Sequence, residues 1–192
     1  MAEDLSTLPE DLPVPEDDGA ADHLTGMPVP DIALPATAGG SVELARLPGR
    51  TVVYIYPRTG VPGQPLLVEN WEAIPGARGC TPQSCSFRDH HAELQALGAR
   101  VFGLSTQDTA FQREAAERLH LPFALLSDAS LALTRALGLP VQRVADITLL
   151  KRAGLILRDG RIEHVFYPVF PPDGHAGAVL AWLRAHPVKG AA

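Results

Sequence analysis

The run Thr51-Val52-Val53-Tyr54-Ile55-Tyr56 constrains the fold of this 192-residue chain more than any other feature. It is rich in β-branched and aromatic residues and is nearly apolar throughout, which is typical of a central strand covered on both faces. A strand of that kind needs layers of helices around its sheet. Hydrophobic residues make up 46% of the chain, enough for the core of one such domain.

The predicted elements that follow this strand alternate between helix and strand. They are a helix from Pro82 to about Leu97, a strand 100–105, a helix 109–119, a strand 123–126, a short helix 130–137, strands 149–158 and 161–166, and a last helix 174–186. The Asp159-Gly160 pair between the last two strands is a hairpin signal. This order predicts an α/β fold in which helices flank a central mixed sheet.

Residues 1–25 are predicted to form an acidic, mobile tail. Eight of the 22 carboxylates lie within residues 1–24, which contain no Lys or Arg, so the rest of the chain, with its 16 basic residues, is close to neutral although the net charge is −6. The domain is expected to span 26–188, with a Gly/Pro-rich insertion loop at 58–79 and a short tail at 189–192.

Several function classes are disfavoured by composition. Nucleic-acid binding requires a clustered basic face, which the sequence lacks, and no apolar run approaches the length of a membrane span. The N-terminus has neither the basic patch nor the apolar stretch of a secretory signal, so a cytoplasmic location is expected.

Cys80 and Cys85 are the only cysteines in the chain. Thr81-Pro82 signals a helix start, which places Cys80 just before or within the first turn, where free amides and the helix dipole favour a thiolate. On an intact helix the Cα atoms of residues five apart are about 8–9 Å apart, whereas a disulfide tolerates roughly 7 Å. A bond between the two sulfurs would therefore require the first turns to unwind.

Three interpretations of this pair are open: a metal clip, a structural staple and a redox pair. A clip would add His90 and His91, but the spacing is unlike ordinary zinc motifs, and adjacent helical residues point about 100° apart. In a reducing cytosol a cysteine pair is more often catalytic or metal-binding than structural. We favour the redox pair, with the metal clip as the most distinct alternative.

Several segments resemble the peroxiredoxin Q group, also called bacterioferritin comigratory proteins. They are Tyr56-Pro57, Gly79-Cys80-Thr81, Cys85-Ser86-Phe87-Arg88-Asp89, Gly103-Leu104-Ser105, Leu121 to Asp128 and Lys151-Arg152. The resemblance implies a thioredoxin-like fold and a peroxidase in which Cys80 attacks hydrogen peroxide or an organic hydroperoxide and Cys85 resolves the sulfenic acid as an intramolecular disulfide. It also implies recycling by thioredoxin or a glutaredoxin-type reductant, no cofactor and no metal, and a monomer.

The resemblance assigns roles to two further residues and shows where the chain departs from the family. Arg152 would be a fixed cation that stabilises the thiolate and polarises the peroxide, and Pro57 would shield the thiolate from solvent. Ala77 stands where the family usually has a threonine, so we expect Thr59 to supply the missing hydroxyl, with Thr81 as a weaker substitute.

A second departure is Gln83, which stands where the family has a glutamate. Two alternatives to the peroxidase stay open at this point. One is a non-enzymatic redox sensor that forms the same disulfide and passes it to a partner protein. The other, a thioredoxin-like disulfide oxidoreductase, is disfavoured because such proteins usually carry Cys-x-x-Cys.

Overall fold

The structure, a computed structural model, describes Leu5 and residues 7–188. Its strands are β1 (Ala33–Pro35), β2 (Ser41–Glu43), β3 (Arg50–Ile55), β4 (Ala99–Ser105), β5 (Leu125–Ser127), β6 (Val141–Val144), β7 (Ile147–Leu150), β8 (Ala153–Arg158) and β9 (Arg161–Phe166). Its helices are α1 (Cys80–Asp89), α2 (His91–Ala96), α3 (Thr109–Arg118), α4 (Ala132–Leu137) and α5 (His175–Ala185). The predicted tail at 189–192 lies outside the described residues.

A five-stranded sheet in the order β5-β4-β3-β8-β9 forms the centre of the domain. Strand β3 pairs in parallel with β4 and antiparallel with β8, so the predicted mixed sheet is confirmed. Alternate residues of β3 point into two separate cores: Val52 and Tyr54 pack with side chains of α1, α3 and α5, whereas Val53 and Ile55 pack with those of α4 and the N-terminal strands. Covering both faces explains why the strand is apolar at every step.

Two predicted elements are divided in the structure. The helix expected from 82 to 97 is split at His90, whose φ of −98° and ψ of 7° leave the helical conformation. The single strand predicted over 149–158 is divided as well, so that prediction is wrong. Leu149 and Leu150 belong to a separate β6–β7 hairpin, and β8 begins only at Ala153. Between them Lys151 and Arg152 leave the sheet, which directs Arg152 towards the first turn of α1.

The packed domain begins at an earlier residue of the N-terminal segment than the sequence predicts. Ala21 and Leu24 are buried in the core, and the Asp18 carboxylate accepts from Lys151 at 2.6 Å and from Tyr167 at 2.7 Å. These hydrogen bonds hold the pKa of Asp18 well below its ordinary value. The boundary predicted at residues 25–26 is therefore too late, because apolar residues within the acidic segment are buried there.

The Gly/Pro-rich insertion at 58–79 packs as a small core of its own. A short 3₁₀ turn at Trp71–Ala73 carries the buried Trp71, which packs with Ala77 and with Val144 and Leu149 of the β6–β7 hairpin. Leu66 and Trp71 of the insertion also lie beside Cys80 and Thr81 at the start of α1. Among the helices in the described part of the chain, none combines the length and the apolar character needed to cross a bilayer.

Candidate active site

Cys80 is the first residue of α1, as the sequence predicted. Gly79 precedes it in the left-handed region at φ 101°, where a Cβ atom would also lie 2.6 Å from Pro172 Cγ and 2.9 Å from Leu8 Cδ2. Both the backbone conformation and the space therefore require glycine. The helix starts earlier than the Thr81-Pro82 signal suggests, because Pro82 is its third residue, and the structure shows no side-chain cap.

The Arg152 guanidinium lies against the Cys80 sulfur. Its Nη2 is 3.2 Å from Sγ and also donates to the carbonyls of Ala77 at 3.2 Å and Arg78 at 3.0 Å. Arg152 is only 2% exposed and Cys80 only 4%. A buried cation that two carbonyls hold at this distance stabilises negative charge on the sulfur, because little solvent screens it.

The first turn of α1 adds donors beside the same sulfur. The first backbone hydrogen bond of the helix runs from Gln83 N to Gly79 O at 3.0 Å, so the amides of Cys80 and Thr81 are not used within the helix, and Pro82 has none. Free amides at a helix N-terminus favour an anion there. The helix and Arg152 therefore act in the same direction on Cys80.

A small cavity of about 20 Å³ opens at Cys80. It is lined by Leu5, Arg58, Gly60, Leu66, Trp71, Ala77, Arg78, Gly79, Cys80 and Thr81. A water molecule needs roughly 10–15 Å³ of such space, so the cavity has room for about one water-sized molecule beside Cys80. Its walls come from the insertion and from the N-terminal segment, and the Trp71 indole beside it is a natural reporter of events at Cys80.

Of the two residues predicted to bind substrate, Pro57 is buried as expected and Thr59 does not reach Cys80. Pro57 is buried just beyond β3, as expected for a shielding residue, and that role stays a prediction. Thr59 does not line the cavity: its hydroxyl donates to Gln107 Oε1 at 3.1 Å, and the same oxygen accepts from its backbone amide at 2.9 Å. The structure therefore does not bring Thr59 to Cys80, because Gln107 holds it away, whereas Thr81 does line the cavity.

Cys85 lies on the same helix as Cys80, and both thiols are free. The helix between them is held to the sheet, because the Tyr54 hydroxyl donates to Ser84 Oγ at 3.1 Å and the Tyr54 ring stacks on Phe87 at 4.5 Å. Cys85 is half-buried, and this burial raises the pKa of its thiol. The two cysteines therefore sit on a formed helix, and a bond between them requires that part of α1 unwind.

The histidines proposed for a metal clip have other contacts. His90 Nδ1 is 2.9 Å from Ser86 O, and the His91 ring lies against Phe123 at 5.6 Å. Within the described residues, no three His, Cys, Asp or Glu side chains come together in a way that could hold a metal ion.

Two site residues were not predicted from the sequence. Gln83 bridges Arg152 and His175, and His175 comes from the start of α5, 92 positions further along the chain. Gln83 was visible only as a departure from the family glutamate. His175 has no local signal, because its proximity to the site depends on how α5 packs against α1.

Comparisons with known proteins show which sequences and folds this chain is similar to. The Redoxin family matches residues 24–180. Peroxiredoxin Bcp of Escherichia coli K12 is 32% identical over 162 residues, covering 82% of this chain and 93% of that protein. The chloroplastic peroxiredoxin Q of Oryza sativa subsp. japonica is 31% identical over 162 residues, 83% of this chain, and the match spans 66% of its own length. The crystal structure of peroxidoxin BcpB from Mycobacterium tuberculosis superposes with a TM-score of 0.68 at 27% identity, covering 85% of this chain and 99% of that one.

Proposed function

Because this chain belongs to the redoxin family, within its peroxiredoxin Q and Bcp group, we propose that it is a thiol-dependent peroxidase acting on hydrogen peroxide and organic hydroperoxides. The observation that carries the proposal is the position of Cys80 Sγ, which lies at the start of α1 and 3.2 Å from Arg152 Nη2. The thioredoxin-like fold holds these two groups together, since α1 and the turn before β8 meet at one end of the sheet.

The first chemical step oxidises Cys80. Its thiolate attacks the terminal oxygen of the hydroperoxide, a sulfur–oxygen bond forms, and the oxygen–oxygen bond breaks. The leaving oxygen takes a proton and departs as water or an alcohol, and Cys80 becomes a sulfenic acid. Arg152 and the free amides of α1 stabilise the negative charge as it moves from sulfur to the leaving oxygen.

The second step uses Cys85. Its thiolate attacks the Cys80 sulfur, the sulfur–oxygen bond breaks, and water leaves as the Cys80–Cys85 disulfide forms. An external dithiol such as thioredoxin or a glutaredoxin-type protein then returns both cysteines to thiols by exchange. Both reacting cysteines belong to one chain, so a monomer is sufficient for the cycle. A reducing compartment such as the cytoplasm supplies these dithiols, and we place the protein there as part of this proposal.

A steady-state assay tests this function. The purified chain, with an excess of thioredoxin, thioredoxin reductase and NADPH, should consume many equivalents of hydrogen peroxide per mole of protein. Consumption that stops at about one equivalent would contradict a catalytic role and would favour the redox sensor. Glutaredoxin with glutathione in place of thioredoxin identifies which dithiol supports turnover.

A further inference from the structure

The N-terminal segment passes beside the active site before it enters the core. We call Leu5 together with residues 7–18 the N-terminal strap. Residues 7–18 contain no helix or strand, so the position of the strap depends on its contacts with the domain. One end is anchored where the Asp18 carboxylate accepts from Lys151 and Tyr167. The other end reaches the cavity at the reactive cysteine.

Between these ends the strap packs on glycines of the chain that leads into α1. Pro15 Cβ lies 3.8 Å from the position that a Cβ atom would take at Gly76. Leu8 Cδ2 lies 2.9 Å from the position that a Cβ atom would take at Gly79, the residue just before Cys80. Any side chain at Gly79 would therefore push Leu8 away. The missing side chains leave the strap room to lie against the start of the helix.

Leu5 is the contribution of the strap to the cavity beside Cys80. Among the described residues that line this cavity, Leu5 alone comes from the strap. Its side chain packs on Gly60 of the insertion, where a Cβ atom would lie 3.1 Å from Leu5 Cδ1. The cavity measures only about 20 Å³. The isobutyl group of Leu5 therefore closes one side of the space in which a hydroperoxide must place its oxygen atoms.

The opposite wall of the cavity is held more firmly than the strap. Trp71 is only 5% exposed and packs in a core with Ala77, Val144 and Leu149. Leu5 is only partly buried and belongs to a segment without regular structure. Segments with few buried apolar contacts open at the lowest free energy. The wall at Leu5 is therefore the one that yields when a larger molecule enters.

The size of the cavity separates two kinds of peroxide. Hydrogen peroxide consists of two oxygen atoms and their hydrogens. An organic hydroperoxide ROOH transfers its terminal oxygen to the Cys80 sulfur and leaves as the alcohol ROH, so its alkyl group R must lie beside Cys80 while the oxygen–oxygen bond breaks. A space that holds about one water-sized molecule has no room for a tert-butyl or phenyl group.

We propose that the N-terminal strap, through Leu5, is a specificity determinant that favours small hydroperoxides and must be displaced before a bulky one reacts. This inference rests on the proposed peroxidase function, because it concerns the choice among the substrates of that reaction. Leu5 takes no part in the bond changes at sulfur. It acts by occupying the space that the alkyl group of a larger substrate needs.

A series of peroxides of increasing size tests this role. Reduced full-length protein is mixed rapidly with hydrogen peroxide, tert-butyl hydroperoxide or cumene hydroperoxide without a reductant, and free thiols are counted by mass analysis after alkylation. One methylene in an apolar pocket changes discrimination by about 10–200-fold, and L5A removes more than that. The ratio of the cumene hydroperoxide rate constant to the hydrogen peroxide rate constant should therefore rise at least about tenfold in L5A.

V14A is the matched control within the strap. Val14 is 63% exposed and does not line the cavity at Cys80. Its replacement also removes a branched aliphatic side chain but leaves the wall at Leu5 in place. The ratio of the two rate constants in V14A should therefore equal that of wild type. Thermal melts of L5A and V14A show whether the domain is equally stable in both.

The outcomes distinguish this inference from the proposed function. If hydrogen peroxide oxidises Cys80 and the ratio in L5A equals that of wild type, the specificity role is wrong and the peroxidase stands. If V14A raises the ratio as much as L5A, general loosening of the strap sets the ratio, and the role of Leu5 is wrong. If none of the three peroxides oxidises Cys80 in wild type, the proposed function itself fails.

Discussion

Arg152 Nη2 lies 3.2 Å from Cys80 Sγ although the two residues are 72 positions apart in the chain. The relationship follows from topology. Strands β3 and β8 are antiparallel neighbours, so the end of β3 and the start of β8 lie at the same end of the sheet, and α1 begins there too. The same guanidinium fixes the carbonyls of Ala77 and Arg78, which shapes the chain just before the sulfur.

Replacement of Arg152 should slow the first oxidation step. R152M removes both the charge and the hydrogen bond to Sγ, and loss of one donor to a developing charge costs about 10²–10³-fold in rate. R152K keeps a positive charge but lacks the planar guanidinium, so its oxidation rate constant should lie between those of wild type and R152M. Rapid mixing with hydrogen peroxide measures the rate constant, and a thermal melt of each variant is the control. An R152M rate within threefold of wild type would remove Arg152 from the mechanism.

Formation of the disulfide should accelerate as pH rises. Burial is the main cause of the raised pKa of Cys85, and Asp89 adds to it, while Arg88 and Arg118 oppose it. The thiolate fraction therefore keeps increasing above the ordinary thiol pKa of about 8.5–9. Since an exposed thiol ionises at lower pH than the folded one, high pH also favours the unwound helix. Rapid quench with mass analysis follows this step; a rate independent of pH from about 6 to 10 would contradict the assignment.

Oxidation should loosen the start of α1. Because Cys80 and Cys85 lie on a formed helix, the disulfide must open hydrogen bonds of about 1 kcal/mol each. Amide exchange from residue 79 to 88 should therefore be faster in oxidised than in reduced protein, and Trp71 fluorescence should change. Exchange in α5 serves as the internal reference. Equal exchange across 79–88 in both states would show that the helix does not unwind.

Stability should fall in mild acid because of His175. Its pKa is lowered to about 3 from an ordinary 6.5, so between these values the unfolded state binds a proton that the folded state does not. Stability is therefore lost as pH falls below about 6.5, by up to about 1.4 kcal/mol per pH unit for this one group. Urea unfolding at several pH values measures the slope. Wild type and H175F share every carboxylate, so they differ only in the contribution of His175. The unfolding free energy of H175F should therefore change less steeply with pH than that of wild type, and identical slopes would contradict this prediction.

Local pattern predicted the framework of the fold well. The apolar run at β3 and the Asp159-Gly160 turn, both of whose residues have positive φ, depend on neighbouring residues alone. The β6–β7 hairpin was missed because its short strands pair only with each other. The apolar pattern of Leu149 and Leu150 is equally compatible with a longer β8. The burial of Leu24 was missed because the acidic residues around it dominate the composition.

The sequence indicates the positions of the site residues best where one segment carries them and least where distant segments meet. Cys80 follows from the helix-start signal, and Arg152 follows from family resemblance. Thr59 was expected to supply the hydroxyl that is missing at Ala77, but its side chain hydrogen-bonds to Gln107, 48 positions away, and does not reach Cys80. The Gln83–His175 contact spans 92 positions, so no local pattern could indicate it.

The most direct test of the central claim, that Cys80 reduces peroxide and Cys85 resolves it, is intact mass analysis after one equivalent of hydrogen peroxide. Wild type should lose two hydrogen atoms as the disulfide forms, C85S should gain one oxygen at Cys80 that dimedone traps, and C80S should stay unchanged. Thioredoxin should then restore the wild-type mass. Oxidation of C80S at Cys85 as fast as that of wild type, or disulfide formation only between chains, would contradict the account.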